Sequence, residues 1–362
     1  MKDTSGLVKS LNRYLNWNKA RASCFVNMLL GLFAVRTINL QEIALAFSSD
    51  AKVESRYRRL QRFFATFTID FTKIARWIFK LYFCTGKKFY LIVDRTNWYW
   101  GKKKINVFML SIAHEGMAIP IFWIMLPKAG NSNFKEQKEL LSNFIGEFGV
   151  GCIEGFLADR EFASGKLFQW LNKKDIPFCI RIKEGSTVRI KRKKFTTAKK
   201  LFNHLNPKVK SEYQMKIWIF GAKAYLSGSR SERGELMIVA SNKSPKNAIE
   251  IYLRRWEIET LFQCLKGRGF QFESTHITDL DRLKKLTAVL AIGSVWAHKV
   301  GEWKAEAKKI IQKKFKDQKR PQYSYFRYGL DAIRECIFQI NTTFSALKGV
   351  FSLIIPKMEG AA

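Results

Sequence analysis

Acidic side chains are scarce in this sequence, which has 30 Asp and Glu against 64 Lys and Arg among its 362 residues. The formal net charge is +34, and so basic a chain repels itself when it is compact. We therefore expect a polyanionic partner, most simply a nucleic acid that neutralises part of this charge.

Histidine and cysteine are few and scattered. The four histidines, at positions 114, 204, 276 and 298, have no metal-ligand spacing, and we expect each to be an ordinary core or surface residue. The six cysteines form no CxxC pair, which argues against structural zinc and a disulfide framework. No GxxxxGK[ST] loop is present, so ATP is not expected.

Long apolar runs are also missing. No stretch reaches the roughly 18 residues that cross a bilayer, and the N-terminal segment lacks the apolar run and cleavage site of a signal peptide. We expect a cytoplasmic protein with no membrane partner. What the chain does have is 47% hydrophobic residues, with 30 Phe and 10 Trp, which indicates a packed globule rather than a basic tail.

Residues 1–83 have a helical pattern. Within them, Leu40 to Phe47 suits a short helix, SSDAK a turn, and Val53 to Phe64 a second helix. The second helix would expose four arginines, namely Arg56, Arg58, Arg59 and Arg62. We interpret the pair as a helix-turn-helix that docks into a DNA groove, and the alternative is a surface helix of a bundle.

From residue 87 the pattern changes to apolar runs of strand length. KKFYLIVD, INVFMLSIAHEG and MAIPIFWIML predict three successive strands, followed by helix, strand, helix and strand up to residue 182. This order predicts an α/β fold with an antiparallel start, compatible with a ribonuclease-H-like core. Residues 184–245 predict a β-rich insertion, and a single long helix is expected over 246–266.

That last helix carries a narrow polar stripe. Tyr252, Arg255, Glu259 and Lys266 fall within an arc of about 60° on one face, with Gln263 beside them. A solvated face is usually wider and made of interchangeable Lys and Glu, so this stripe indicates a specific role.

Three acids stand where an exposed charge is awkward. Asp94 and Asp159 each close a predicted buried strand, and Glu259 lies on the polar stripe. A buried carboxylate needs a partner, and three carboxylates without His or Cys favour Mg²⁺ or Mn²⁺. Two such ions could activate water or a 3′-hydroxyl and stabilise the leaving oxygen. The alternatives are a turn or N-cap role for each Asp and a salt bridge for Glu259.

These residues together resemble a known family. The sequences DRTNW at 94–98 and DREF at 159–162, the GNSN loop at 130–133, and Tyr252, Arg255, Glu259 and Lys266 in the spacing Y-x2-R-x3-E-x6-K are similar to bacterial DDE transposases of the insertion-sequence family numbered four. The resemblance extends from about residue 38 to residue 335.

The resemblance implies an α/β, ribonuclease-H-like catalytic core interrupted by the β-rich insertion. Asp94, Asp159 and Glu259 would bind two Mg²⁺ ions, for which Mn²⁺ can substitute, and Tyr252, Arg255 and Lys266 would contact DNA near the scissile phosphate. Some members of the family form a terminal DNA hairpin and flip a base, for which Trp218 and Trp98 are candidate stacking partners. A homodimer that holds transposon ends and target DNA in the nucleoid is also implied.

The expected organisation has five regions. They are a helical DNA-binding region (1–83), the first part of the catalytic core (84–183), the β-rich insertion (184–245), the remainder of the core with the third acid (246–300) and a C-terminal helical region (301–362). The alternatives to a transposase are a ribonuclease-H-like nuclease without strand transfer and an inactive repressor that binds transposon ends.

Overall fold

A computed structural model describes residues 4–47, 49–83, 86–315, 318–338 and 349–356. Ser48 of the predicted turn, Cys84, and parts of the predicted C-terminal region, including residues 339–348 and 357–362, lie outside the described residues. Among those described, no helix is both long and apolar enough to span a bilayer.

Five helices open the chain. They are α1 Ser5–Leu15, α2 Lys19–Val35, α3 Leu40–Leu45, α4 Val53–Thr66 and α5 Phe71–Tyr82. The side chains of Asn18, Asn39 and Asp70 cap the N-termini of α2, α3 and α5. Most of α2 is buried, whereas α4 buries only one face through Leu60, Phe63 and Phe64. The two helices that the pattern predicted, from Leu40 to Phe47 and from Val53 to Phe64, are therefore present as α3 and α4.

A ten-stranded sheet follows. The first part contains β1 Phe89–Trp100, β2 Lys103–Ile112, β3 Ile119–Met125, α6 Phe134–Phe148, β4 Ile153–Ala158, α7 Gly165–Lys173 and β5 Phe178–Ile182. Its strands lie in the order β3-β2-β1-β4-β5, with β1, β4 and β5 parallel and the β1-β2-β3 meander antiparallel. This mixed sheet confirms the predicted α/β class and the ribonuclease-H-like core.

The predicted insertion continues this sheet. Its elements are β6 Thr187–Lys191, β7 Lys194–Thr197, α8 Ala198–Leu201, β8 Lys210–Ile219, β9 Ala222–Arg230 and β10 Leu236–Ser241. Strand β10 pairs antiparallel with β5, and the order continues as β10-β9-β8-β6-β7. Because Ile182 is the register partner of Ile238, the insertion strands are hydrogen-bonded to the core sheet.

Strand β1 is longer than predicted. It continues past Asp94 to Trp100 and pairs with β2 as far as Trp100 and Lys103, while its parallel pairing with β4 ends at Val93 and Ala158. The residues after Asp94 are rich in Thr, Trp and Tyr, which suit strands, and Gly101 supplies the positive φ of the turn. Asp94 therefore lies in mid-strand, at the point where β4 stops accompanying β1.

The prediction of a single helix over 246–266 is wrong, because the chain forms two helices there, α9 Ala248–Leu253 and α10 Trp256–Leu265. At the junction, the Arg255 N–H binds the Tyr252 carbonyl at 2.9 Å and the Glu257 N–H binds the Arg254 carbonyl at 3.0 Å. These three-residue spacings tighten the turn between the two helices.

The C-terminal part contains α11 Leu280–Ala307, β11 Gln312–Phe315, β12 Gln318–Pro321 and α12 Tyr325–Phe338. The two short strands pair as an antiparallel hairpin in the stretch that was predicted to be only a basic connection. Helix α11 is almost entirely buried from Leu283 to Gly301 and packs against α2, α10 and α12. It is the central helix of the core.

Candidate active site

Two of the three predicted acids are neighbours on the sheet. Asp159 directly follows β4, and Asp94 directly follows the last residue of β1 that pairs with β4. Because adjacent parallel strands lie about 4.8 Å apart, the two carboxylates emerge side by side. Helix α10, which carries Glu259, packs against β1.

The guanidinium group of Arg255 lies among these acids. Its Nη1 donates to Asp94 Oδ2 at 3.0 Å and its Nη2 donates to Glu259 Oε1 at 2.7 Å. Arg255 is only 3% exposed, whereas the side chains of Asp94 and Glu259 are 18% and 35% exposed, so the bond to Asp94 is the better shielded of the two. One buried cation therefore connects an acid of the sheet to an acid of the helix.

The third acid joins the same network through a tyrosine. Arg255 Nε donates to the Tyr252 hydroxyl oxygen at 3.2 Å, and that hydroxyl donates to Asp159 Oδ1 at 3.1 Å. Arg181, on β5, approaches Asp159 at 3.8 Å. The structure thus brings together five of the predicted residues, which are Asp94, Asp159, Tyr252, Arg255 and Glu259.

Burial shapes the charges of this cluster. It raises the pKa of Asp94 to about 6, although Arg255 opposes the shift, and it raises the pKa of Tyr252 to about 12. Burial alone would lower the pKa of Arg255, but Tyr252, Glu259 and Asp94 together raise it above its ordinary value. The guanidinium therefore stays charged and keeps the neighbouring carboxylates compatible with burial.

The donor set fits a hard divalent cation, since it consists of three carboxylates from different elements. Among the described residues, however, the oxygens of these three acids do not all lie within 4.8 Å of one another. Arg255 stands between Asp94 and Glu259 and holds them around its own charge. Asp94, Asp159 and Glu259 are the residues that could hold such an ion.

A second ion pair supports the site and was missed from the sequence. Arg95 donates to both oxygens of Glu161, at 2.8 and 2.7 Å, and also to the Gly130 carbonyl and the Asn131 side chain. It therefore ties the strand that carries Asp94 to the DREF segment and to the GNSN loop. The available signal was the charged residue that closely follows each aspartate in DRTNW and DREF.

Lys266 ends the polar stripe beside β1. Its Nζ lies 2.7 Å from Glu273 and 3.4 Å from the Asn97 carbonyl, and 5.5 Å from the centre of the Trp98 ring. Trp98 itself is 7% exposed and packs against Phe272. Trp98 is thus a core residue, whereas Lys266 marks the outward continuation of the site along β1.

The remaining predicted residues make their contacts elsewhere. Arg56 donates to the carbonyls of Ala51 and Phe47, which closes the turn between α3 and α4, and Arg59 donates to the Ala20 carbonyl. The side chains of Arg58 and Arg62 are exposed. Trp218 on β8 is 38% exposed and has Arg189 and Lys223 over its ring.

The family described as "Transposase DDE domain" matches residues 87–296, which is more than half of the chain. The protein therefore belongs to the DDE transposases, enzymes that cut and join DNA and use divalent metal ions. Among solved structures, it is similar to a cryo-EM structure of the piggyBac transposase synaptic complex with hairpin DNA, at 11% identity and a TM-score of 0.47, over 99% of this chain and 85% of that one. No curated protein matches the sequence.

Removal of the Arg255 guanidinium should destabilise the metal-free protein. We expect Arg255→Ala to lower the free energy of unfolding in EDTA by about 3 kcal/mol, because buried carboxylates lose their partner. Mg²⁺ should recover part of this loss, as measured by urea unfolding with and without the ion. Arg76→Ala is the control, since Arg76 is an exposed arginine whose partner is Glu147, and it should cost about 1 kcal/mol or less. If Mg²⁺ restored none of the free energy of unfolding that Arg255→Ala removes, the assignment of these carboxylates as metal ligands would be contradicted.

Proposed function

We propose that this DDE transposase belongs to the insertion-sequence family numbered four and moves its element by cut and paste. The observation that supports this most is the joining of Asp94, Asp159 and Glu259 through a single buried arginine. The spacing of Tyr252, Arg255, Glu259 and Lys266 supports the finer family assignment. The reaction would be hydrolysis at the element ends, in some cases through a hairpin, followed by attack of the 3′-hydroxyl on target DNA.

Asp94, Asp159 and Glu259 would hold two Mg²⁺ ions, or Mn²⁺ in their place. When bound, such ions polarise the attacking and leaving oxygens on either side of the phosphate. The carboxylates themselves suit this role because two come from neighbouring strands of a sheet and the third from a helix that packs on that sheet. Their all-oxygen chemistry favours a hard ion.

The basic side chains of the stripe would hold the DNA. Arg255 would leave Asp94 and Glu259 before a metal enters, and two oxygens of a DNA phosphate would offer its guanidinium a new bidentate acceptor. Tyr252, which is bonded to both Asp159 and Arg255, would keep the orientation of the aspartate during this exchange. Lys266 lies further along β1 and would contact the adjoining phosphate.

The five regions expected from the sequence would have the roles that the family resemblance implies for them. Region 1–83 would bind DNA, with α4 as the helix that approaches the groove and with Arg58 and Arg62 as its exposed cations. Because Arg56 and Arg59 hold carbonyls of the N-terminal helices, they would set the position of α4 rather than give the main phosphate contacts. We further propose a homodimer that holds the two ends, working on nucleoid DNA in the bacterial cytoplasm.

Trp218 would stack the flipped base. Its ring is partly exposed in a strand of the insertion, and two cations lie against it at 5.0 and 5.7 Å. A flat aromatic surface beside phosphate-binding charges suits an unstacked nucleotide. Trp98 is buried, which leaves Trp218 as the stronger candidate of the two.

The three acids give the most direct test of activity. Asp94→Asn, Asp159→Asn and Glu259→Gln should each abolish cleavage of DNA that carries the inverted repeats flanking the gene, with end binding largely kept. Asp175→Asn is the control, because Asp175 is an exposed acid paired with Lys243. Turnover within about tenfold of the parent in any of the three acid variants would contradict the assignment.

The same assay separates the alternatives when a second, supercoiled duplex is present with Mg²⁺. A transposase joins cut ends to that duplex, a nuclease releases cut DNA without joining it, and a repressor binds the ends without cutting. Only joined product supports the proposed function.

The α4 arginines can be tested through salt dependence. Arg58→Ala with Arg62→Ala should weaken end binding and reduce the slope of log K against log salt by about 2, because each arginine would neutralise one phosphate. Arg76→Ala serves as the control, because Arg76 is an exposed arginine of α5 paired with Glu147. An unchanged slope in the double variant would remove α4 from the DNA interface.

Base stacking can be read by fluorescence. Trp218→Ala should abolish the fluorescence rise of 2-aminopurine at the terminal position and reduce hairpin formation, because the extruded base loses its stacking surface. Phe195→Ala is the matched control, as Phe195 is an aromatic residue of β7 that is 63% exposed. Intact flipping and hairpin formation in Trp218→Ala would exclude this role.

A further inference from the structure

Outside the acid site, the fold gathers two histidines and a glutamate. His114 follows β2, and His298 and Glu302 lie one turn apart on α11. Within the part of the chain that the structure describes, these three are the one group whose candidate ligand atoms all lie within 4.8 Å of one another. The folded chain thus brings together two histidines that are far apart in sequence, a proximity that their spacing along the chain does not indicate.

One of two distances within this cluster equals the separation of two ligands on a tetrahedral ion, and the other is shorter. Glu302 Oε1 lies 2.5 Å from His114 Nε2 and 3.4 Å from His298 Nδ1. Two ligands that each lie about 2.1 Å from a tetrahedral zinc ion are roughly 3.4 Å apart. His298 Nδ1 and Glu302 Oε1 already have this separation. The distance between His114 Nε2 and Glu302 Oε1 would lengthen to it when an ion replaces their hydrogen bond.

Two neighbouring groups contact the proposed ligands. The Tyr82 hydroxyl donates to the Val295 carbonyl at 2.8 Å and lies 3.3 Å from His298 Nδ1, so an ion at that nitrogen would replace this contact. Lys299 Nζ lies 3.4 Å from Glu302 Oε2, the oxygen that does not face the histidines. A contact of this kind, to the carboxylate oxygen that does not bind the ion, is typical of metal-ligating carboxylates.

One side of the cluster is open. A cavity of about 1020 Å³ is lined by His298 and Glu302, together with Glu115, Met117 and residues of β12 and α12. Because His298 and Glu302 face this solvent-sized cavity, three protein ligands would leave a fourth coordination position for a water molecule.

We propose that His114, His298 and Glu302 form a second metal site, which takes Zn²⁺ or a related transition-metal ion. Two imidazoles and one carboxylate select a softer ion than the all-oxygen set of Asp94, Asp159 and Glu259. The site does not depend on the proposed cut-and-paste reaction, because none of its residues belongs to the acid cluster.

The position of the site gives the ion a bracing role. The loop that carries His114 is hydrogen-bonded to α10, since the Ala118 N–H binds the Glu257 carbonyl at 2.9 Å. A metal bound to His114, His298 and Glu302 would fasten this loop to α11. It would thereby stiffen the support of the helix that carries Glu259.

Titration of the metal-stripped, full-length protein with Co²⁺ and Zn²⁺ tests the proposal. We expect one Co²⁺ per chain with the visible absorption of a tetrahedral site, displaced by Zn²⁺ and unaffected by Mg²⁺. His114→Asn and Glu302→Gln should each weaken Co²⁺ binding by at least about tenfold. His204→Asn is the control, because His204 is exposed and outside the cluster, and Asp94→Asn should also bind Co²⁺ like the parent.

A parent protein that gives no such absorption, or variants at positions 114 and 302 that bind Co²⁺ as the parent does, would overturn the proposal. If circular dichroism shows that either variant fails to fold, the thermal stability of the parent protein provides the test. Zn²⁺ at micromolar concentration must then raise its melting temperature where Mg²⁺ at the same concentration does not. An equal response to the two ions would also overturn the second site.

Discussion

The buried guanidinium of Arg255 is the interaction on which the candidate active site depends. It bonds to Asp94 and Glu259 directly and reaches Asp159 through the Tyr252 hydroxyl. Three carboxylates at the meeting point of a sheet and a helix would otherwise repel one another, and burial already raises the pKa of Asp94. Arg255 therefore supplies positive charge among these carboxylates, and the proposed divalent ions would supply such charge during the reaction.

The fold places this arginine through two departures from regular structure. Strand β1 continues beyond its parallel partner β4, so Asp94 lies at an opening in the sheet next to Asp159. The turn between α9 and α10 directs Tyr252 and Arg255 towards that opening and leaves Glu259 one helical turn further on. Arg95 and Glu161 then fasten the two aspartate segments to each other and to the GNSN loop. The acids are thus positioned by the sheet, and the arginine by the interruption of a helix.

Local patterns in the sequence predict part of the fold and of the candidate active site, but not the contacts between segments that are far apart along the chain. The α/β class, helices α3 and α4, and the proximity of Tyr252, Arg255 and Glu259 follow from short-range periodicity and spacing, which the chain reveals by itself. The pairing of β10 with β5 and the meeting of His114 with His298 depend on contacts between distant segments, whereas the extension of β1 is a local hairpin with β2 that the apolar pattern alone did not reveal. Spacing rules for metal ligands detect neighbours along a helix or loop, so one histidine after a strand and another on α11 gave no signal. The break at Arg254 was missed because the apolar pattern continues across it.

A structure with Mn²⁺ bound, located by anomalous diffraction, tests the central claim about Arg255 most directly. We expect Mn²⁺ about 2.1 Å from carboxylate oxygens of Asp94 and Asp159, with the Arg255 guanidinium moved away from Asp94. Mn²⁺ bound only elsewhere in the chain, with Arg255 still joining Asp94 to Glu259, would contradict it.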